Sequence, residues 1–288
     1  MAFCFELTET ISAAVRRVIA EQSAKAAMAL EVVNPEGIHT ARKSFKKIRS
    51  VIRLIRHCFA EGRFEQEVDW FRDAGRQLSV MRDADVVIET YEMLWRENPD
   101  FSLLDSRQII KRHLTFKRES LHHQMQRQLR MIQLLRVELE NYSSRTGRWP
   151  LDGSSCRLLL EGYSQSYCSG FEAMRKVWKK PTDNRFHSWR KRTKDYLYQS
   201  QLLHEYLSIG HQPDLGTLEQ LTECLGDHHD LLVLQTNIMS ECDNCKERQQ
   251  LSRLIQIRRN DLRFQALTLG ERVYAGVPAG LASGVSMN

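Results

Sequence analysis

The chain has 288 residues, 42% of them hydrophobic and 27% charged, with 42 Lys and Arg against 36 Asp and Glu for a net charge of +6. This composition excludes a disordered chain, and so small a net charge excludes a uniformly basic, nucleic-acid-packaging type of protein. No run approaches the roughly 18 apolar residues of a membrane span.

The first segment, MAFCFELTETISAAVRRVIAE, has no basic stretch ahead of an apolar one, so no secretory signal is expected and a cytoplasmic location follows. Seven cysteines without regular spacing fit a reducing compartment, with Cys58, Cys156, Cys168 and Cys224 acting as small hydrophobes.

Nearly every segment carries helical periodicity, and none reads convincingly as a strand. A first helix is expected over residues 7–33, ending at the breaker Asn34-Pro35-Glu36-Gly37. The second, residues 38–59, is the most informative stretch. Ala41, Phe45, Ile48, Ile52, Ile55 and Phe59 fall on one line at 100° per residue, and His39, Arg42, Lys46, Arg49 and Arg53 on another. From Arg42 to Arg56 no acid interrupts the Lys and Arg residues. Such a helix forgoes the i,i+4 pairs that surface helices use and accepts like-charge repulsion, so an anion outside it is expected to compensate.

An amphipathic segment follows with Phe64, Val68, Phe71 and Leu78 inward, then a short helix over 83–95 and a long one over 106–140. The long helix is again basic, with Lys111, Arg118 and His122 on one line as walls of the expected groove. Residues 141–155 read as a linker. Beyond it the order recurs: a helix over 156–178, the breaker around Pro181, a basic helix, a turn over 210–216, two shorter helices meeting near Gly226, a last helix over 244–269, and a flexible tail.

The recurrence extends to residues. His39-x-x-Arg42-Lys43-x-x-Lys46 returns as His187-x-x-Arg190-Lys191-x-x-Lys194, and Leu78-Ser79-Val80-Met81-Arg82-Asp83 aligns with Leu225-Gly226-Asp227-His228-His229-Asp230 at nearly the same offset. The expected architecture is therefore all-α: a duplicated helical bundle, with halves at 1–147 and 148–270 related by a pseudo-twofold axis around a basic groove, and a tail over 271–288.

On these motifs the chain resembles the CHAD family, the conserved histidine α-helical domain, over residues of roughly 5–270. The resemblance implies binding of inorganic polyphosphate on a basic central surface, without catalysis and without a cofactor. Carried over by motif, the contacts are His39, Arg42, Lys46, Lys47 and Arg49 in the first half and His187, Arg190 and Lys194 in the second. Lys43, Arg53, Arg82, Lys111, Arg118 and Lys191 join them as basic neighbours, with Asp83 and Asp230 as caps or as partners that aim the cations. Where the family's second motif continues with Arg-Tyr, this chain has Leu197-Tyr198, which shortens the second rail. Granule-associated proteins are the implied protein partners, and polyphosphate granules an implied location.

Two other chemistries share these residue types. His228-His229-Asp230 is the kind of sequence that holds a divalent metal in HD-type phosphohydrolases, and Cys242-x-x-Cys245 is a weak zinc signal. The first is not favoured because Met81-Arg82-Asp83 stands at the equivalent place and Arg opposes a metal, and the second because it is a single pair without a partner pair, placed at a turn before the last helix. An RNA-binding role would want exposed aromatics among the charges, whereas Trp189 and Phe45 lie on core lines.

Overall fold

A computed structural model of the protein describes residues 3–98, 107–126, 128–151, 155–207, 213–239 and 246–276. Among these residues the structure is helical throughout, with no strand, and no helix is long and apolar enough to cross a membrane.

Ile11–Ala29 forms α1, capped by the Thr10 hydroxyl, which accepts from the Ala13 N–H at 3.3 Å. The Asn34-Pro35 pair that reads as a breaker is also the start of α2, Pro35–Leu54: the Asn34 side chain accepts from the Gly37 N–H at 2.7 Å and Pro35 occupies the first turn. The basic helix ends earlier than its periodicity predicts, giving way to a short 3-10 turn, Arg56–Cys58. Two contacts explain this. Phe59 turns away to meet Trp149 edge-on at 5.1 Å, and Gly162 packs so tightly on the end of α2 that a Cβ there would lie 2.0 Å from the Leu54 carbonyl oxygen.

Two helices, α3 (Arg63–Gln77) and α4 (Ser79–Glu97), follow and meet at Leu78. The long helix expected next is divided into α5 (Arg107–Gln126) and α6 (Leu129–Glu140). The expected linker contains a short helix of its own, α7 (Tyr142–Thr146). It is held by Glu67 of α3, which is fully buried and takes Arg63 at 2.8 Å, Arg145 at 3.1 Å and the Tyr142 hydroxyl. A buried carboxylate with three donors is tolerable where a lone one would not be.

The second half comprises α8 (Ser155–Lys179), α9 (Asp183–Leu202), α10 (Leu215–Met239) and α11 (Lys246–Val273). Here the expected pair of helices meeting near Gly226 is a single helix, α10, continuous through that glycine. Nor does the tail begin at residue 271. Helix α11 runs to Val273, and Tyr274 is buried against Tyr167 and Tyr196 with its hydroxyl 3.3 Å from Thr193. The residues from 277 onward, Cys242, Cys245 and residues 210–212 of the expected turn lie outside the described residues.

One hydrophobic cluster runs through both halves. The predicted core line of α2 is buried from Ala41 to Ile55, and Trp189 and Thr193 of α9 are fully buried. Helices α2 and α9 lie side by side, with α3 and α4 flanking the first and α8 and α10 the second. Their contacts advance together, from Arg42 beside Arg190 to Ser50 beside Asp195, so they run in the same sense. The Ser50 hydroxyl donates to the Asp195 carbonyl at 2.9 Å, and the Gln199 amide donates to the Ser50 carbonyl at 3.0 Å. Phe5 donates its N–H to the Leu202 carbonyl at 2.9 Å, tying the start of the chain to the second half.

Candidate anion-binding site

The pairing of α2 with α9 sets two cationic helix faces along one seam. At its upper end the structure brings together Arg42 and Lys46 from α2 with Arg190 and Lys194 from α9, and Asp230 of α10 is the acid that faces both lysines. Burial, and then the repulsion of Arg190, Lys194 and Arg42, holds the Lys46 amine down to about 7. Lys194 is lowered to about 8 by burial, Arg190 and Lys43, with Asp230 and Glu223 opposing. Arg42 is lowered by burial and then by Arg82 and Arg190, with Asp83, 3.9 Å away, opposing; its guanidinium also donates to the Gly75 carbonyl.

Lys47 points to the neighbouring end of the seam, its Nζ 4.0 Å from the centre of the Phe3 ring and 5.9 Å from that of Tyr198. Burial and the nearby Lys43 and Lys25 bring it down to about 8. Lys194 also lies over Tyr198, at 5.9 Å. Phe3 and Tyr198 carry no signal in a search for basic residues; their places follow from packing across the seam.

Buried donors stand open here. The Nε atoms of Arg190 and Arg49 are buried with no hydrogen-bond partner, as is Nδ1 of His187. An unsatisfied buried donor costs about 1–3 kcal/mol, and more where it is charged. Gly226, where the sequence suggests two helices meeting, lies inside α10 beside Arg190; a Cβ there would be 3.9 Å from the Arg190 Nε, an ordinary van der Waals contact.

His187 stacks on His229 of α10, ring centres 4.7 Å apart, and burial with Lys191, His229 and Arg190 pushes it down to about 4. His39 is lowered by burial first, then by Arg82, Lys46 and Lys43. Both imidazoles are thus kept neutral and able to donate a single N–H each. The start of α9 is anchored from behind by Asp183, which takes Arg263 at 2.9 Å and also Arg259; Arg263 donates in turn to His228 at 3.1 Å.

The remaining candidates are placed differently. Arg53 forms an ion pair with Asp195 at 2.9 Å, so its charge is answered within the protein. Asp195 is raised by burial but faces Arg53, Arg49 and Arg192. Arg82 makes two bonds to Glu89, at 2.9 and 3.1 Å. Lys111 pairs with Glu92 at 2.9 Å, well along α4 from Asp83, and Arg118 lies near Asp85, so α5 builds against α4 rather than lining the seam. Asp83 and Asp230 lie inside α4 and α10 and cap neither helix; as partners they face Arg42 and the two lysines. Lys43 is exposed, and Lys191 is lowered by burial, Arg49 and Arg192. A cavity of about 260 Å³ opens beyond the Arg53–Asp195 pair, but Glu65 and Asp69 line it together with Arg56 and Arg192, so it is no continuation of the basic track.

The metal reading is not supported by this geometry. His228 is buried beneath Phe186 at 4.6 Å and accepts from Arg263, while His229 turns to His187, so the two histidines face different sides of α10. Among the described residues no three His, Cys, Asp or Glu side chains are grouped to hold an ion.

Comparison with known proteins gives two findings. The family model described as CHAD domain matches residues 13–238. The crystal structure of the CHAD domain from the plant Ricinus communis is similar with a TM-score of 0.60 at 19% identity, covering 97% of this chain and 96% of that one. No curated protein matches the chain.

Proposed function

The chain belongs to the CHAD domain family, and from that premise we propose that it binds inorganic polyphosphate, or a similar linear polyanion, along the α2–α9 seam without catalysing its reaction. One observation carries the reading. Arg42, Lys46, Arg190 and Lys194 are crowded together while the Arg190 and Arg49 Nε atoms stay buried and unpartnered. An arrangement that disfavours its own charges is stable in use only when an anion supplies what the fold withholds.

A helix rises about 5.4 Å per turn, so Arg42, Lys46 and Arg49 offer successive donors to an extended chain of phosphates, with Arg190, Lys191 and Lys194 opposite. The first half contributes more of the grip, because Lys43 and Lys47 lengthen its side. Neutral His39 and His187 give hydrogen bonds at one end. With these eight cations engaged, the logarithm of affinity should fall with the logarithm of salt at a slope of about −5.6, by analogy with single-stranded nucleic acids. Bare polyphosphate is favoured over RNA because Trp189, Phe45 and Tyr198 are buried and the Phe3 ring is covered by Lys47, so among the described residues the seam offers bases little open aromatic surface.

The test is a competition titration of long-chain polyphosphate, RNA and short oligophosphates at several salt concentrations. Polyphosphate should win over RNA at equal charge, and long chains over short. RNA winning would overturn the assignment.

A further inference from the structure

The cavity beyond the Arg53–Asp195 pair is chemically unlike the track above it. Three arginines and three acids line it, so it has no net charge, whereas cations crowd the upper end of the seam. Part of that charge is answered within the protein: Arg53 holds Asp195 at 2.9 Å, Asp69 takes Arg72 on its own helix, and Arg56 stands 5.0 Å over the Phe64 ring. Two groups are left over. Arg192 of α9 and Glu65 of α3 both line the cavity, and neither makes an ion pair or hydrogen bond with any described residue. They stand on walls contributed by different halves of the fold, so a free positive and a free negative group are held apart rather than paired with each other. Ser166 and Ser169 of α8 add hydroxyls to the lining, and Phe64 and Val68 add apolar surface. A simple anion would gain from Arg192 but meet Glu65 and Asp69, and a simple cation would gain from Glu65 but meet Arg56 and Arg192. A zwitterion gains from both. A few convergent polar groups beside apolar surface is also the general build of a small-ligand site. The volume of about 260 Å³ is room for roughly eight or nine waters at ~30 Å³ each, and so for a molecule of about that many heavy atoms.

We propose that this cavity binds a free apolar amino acid, its carboxylate on the Arg192 guanidinium, its ammonium on the Glu65 carboxylate and its side chain against Phe64 and Val68. The site is separate from the anion track and stands whether or not polyphosphate binds the upper end. Glu65 belongs to the first half and Arg192 to the second, so the ligand bridges the halves next to the ion pair that joins α2 to α9. Binding therefore adds a second clamp across the same boundary and should register as stability of the whole chain.

The full chain is titrated calorimetrically with free valine, leucine and methionine, and its thermal unfolding is followed with each. At ten times its dissociation constant, a bound amino acid should raise the unfolding midpoint by about 3 °C. Leucine amide lacks the carboxylate and N-acetyl-leucine lacks the ammonium, so each should bind at least about tenfold more weakly than leucine. Arg192→Gln and Glu65→Gln change exposed side chains and should keep the fold, while weakening leucine by about tenfold each. Saturating long-chain polyphosphate should leave leucine affinity unchanged. The proposal is overturned if none of the three amino acids binds more tightly than about 10 mM. It is overturned equally if the blocked derivatives bind as well as leucine, if both variants keep the parent affinity, or if polyphosphate displaces the amino acid and so makes the cavity part of the anion track.

Discussion

The two ends of the α2–α9 seam are built from the same residue types and differ in how their charge is answered. At the upper end Arg42, Lys46, Arg190 and Lys194 crowd together with Asp230 as the acid facing both lysines, and their amines are pushed toward neutrality. At the lower end Arg53 meets Asp195 at 2.9 Å, and Arg49 and Arg192 lie within its field. One end leaves charge unanswered within the protein; the other uses it to join two helices. A basic run on a helix is thus not one kind of object, and its meaning depends on where the partner helix places its acids.

The largest effect should come from breaking the lower end. Replacing Asp195 by Ala strips the carboxylate from Arg53 and Arg49 and should destabilise the fold by about 3–5 kcal/mol, as loss of one partner of a buried pair does. A urea unfolding midpoint measures it. A change below about 1 kcal/mol would mean that the two ends are alike, and that Arg53 is as available to an anion as Arg42.

Breaking the upper end should do the reverse, leaving the fold and removing the ligand. The double substitution of Arg42 and Lys46 by Ala should weaken polyphosphate binding by at least a few hundredfold, at about 1.5–3 kcal/mol for each charged contact. It should also make the salt slope shallower by about 1.4, from two lost counterion-releasing contacts. The pair Arg190 and Lys194 should behave alike, with a somewhat smaller loss if the first half carries more of the grip. Unfolding curves superposing on the parent would set this apart from the Asp195 variant.

This contrast was only half legible in the sequence. The core lines of α2 and α9 followed from 3.6-residue periodicity, and the co-location of the two basic motifs followed from the internal repeat. The satisfaction of Arg53 by Asp195 did not, because it depends on two residues 142 apart meeting across a helix pair. Lys111 and Arg118 share a line of charge with no local sign that α4 would supply Glu92 and Asp85. The early end of α2 was hidden for the same reason: Phe59 leaves the helix to reach Trp149, far along the chain. Periodicity reports which face a residue occupies, and long-range packing decides what that face meets.

pH offers a finer way to separate the ends. Lys46 sits near 7 and Lys47 and Lys194 near 8 in the free protein, while a bound polyanion restores their preference for the charged form. Binding should therefore take up protons, and affinity should decline as pH rises from about 6.5 to 9. Calorimetry in buffers of different ionisation enthalpy would read the uptake directly. The stability of the free protein should move the opposite way. These lysines bind protons more readily in the unfolded chain than in the folded one between their lowered values and about 10.4, so unfolding free energy should rise with pH over that window. A flat binding profile would mean that the amines are already fully charged and the upper end is no more crowded than the lower.

The smallest effect concerns Gly226, and it tests whether the upper end is shaped as well as charged. In the middle of α10 a glycine costs about 0.5–1 kcal/mol relative to alanine, so keeping one there calls for a reason. A Cβ would stand 3.9 Å from the Arg190 Nε, an ordinary van der Waals contact, so alanine fits beside Arg190 and only a longer side chain would crowd it. Gly226→Ala should then raise stability by that modest amount and leave polyphosphate affinity unchanged. Gly226→Leu, whose branches extend beyond the Cβ into the space Arg190 uses, should keep the helix but lower affinity by about tenfold, the share of one charged contact. If the leucine variant bound as well as the alanine one, Arg190 would be free to move aside, and the site would be a patch of charge rather than a fitted groove.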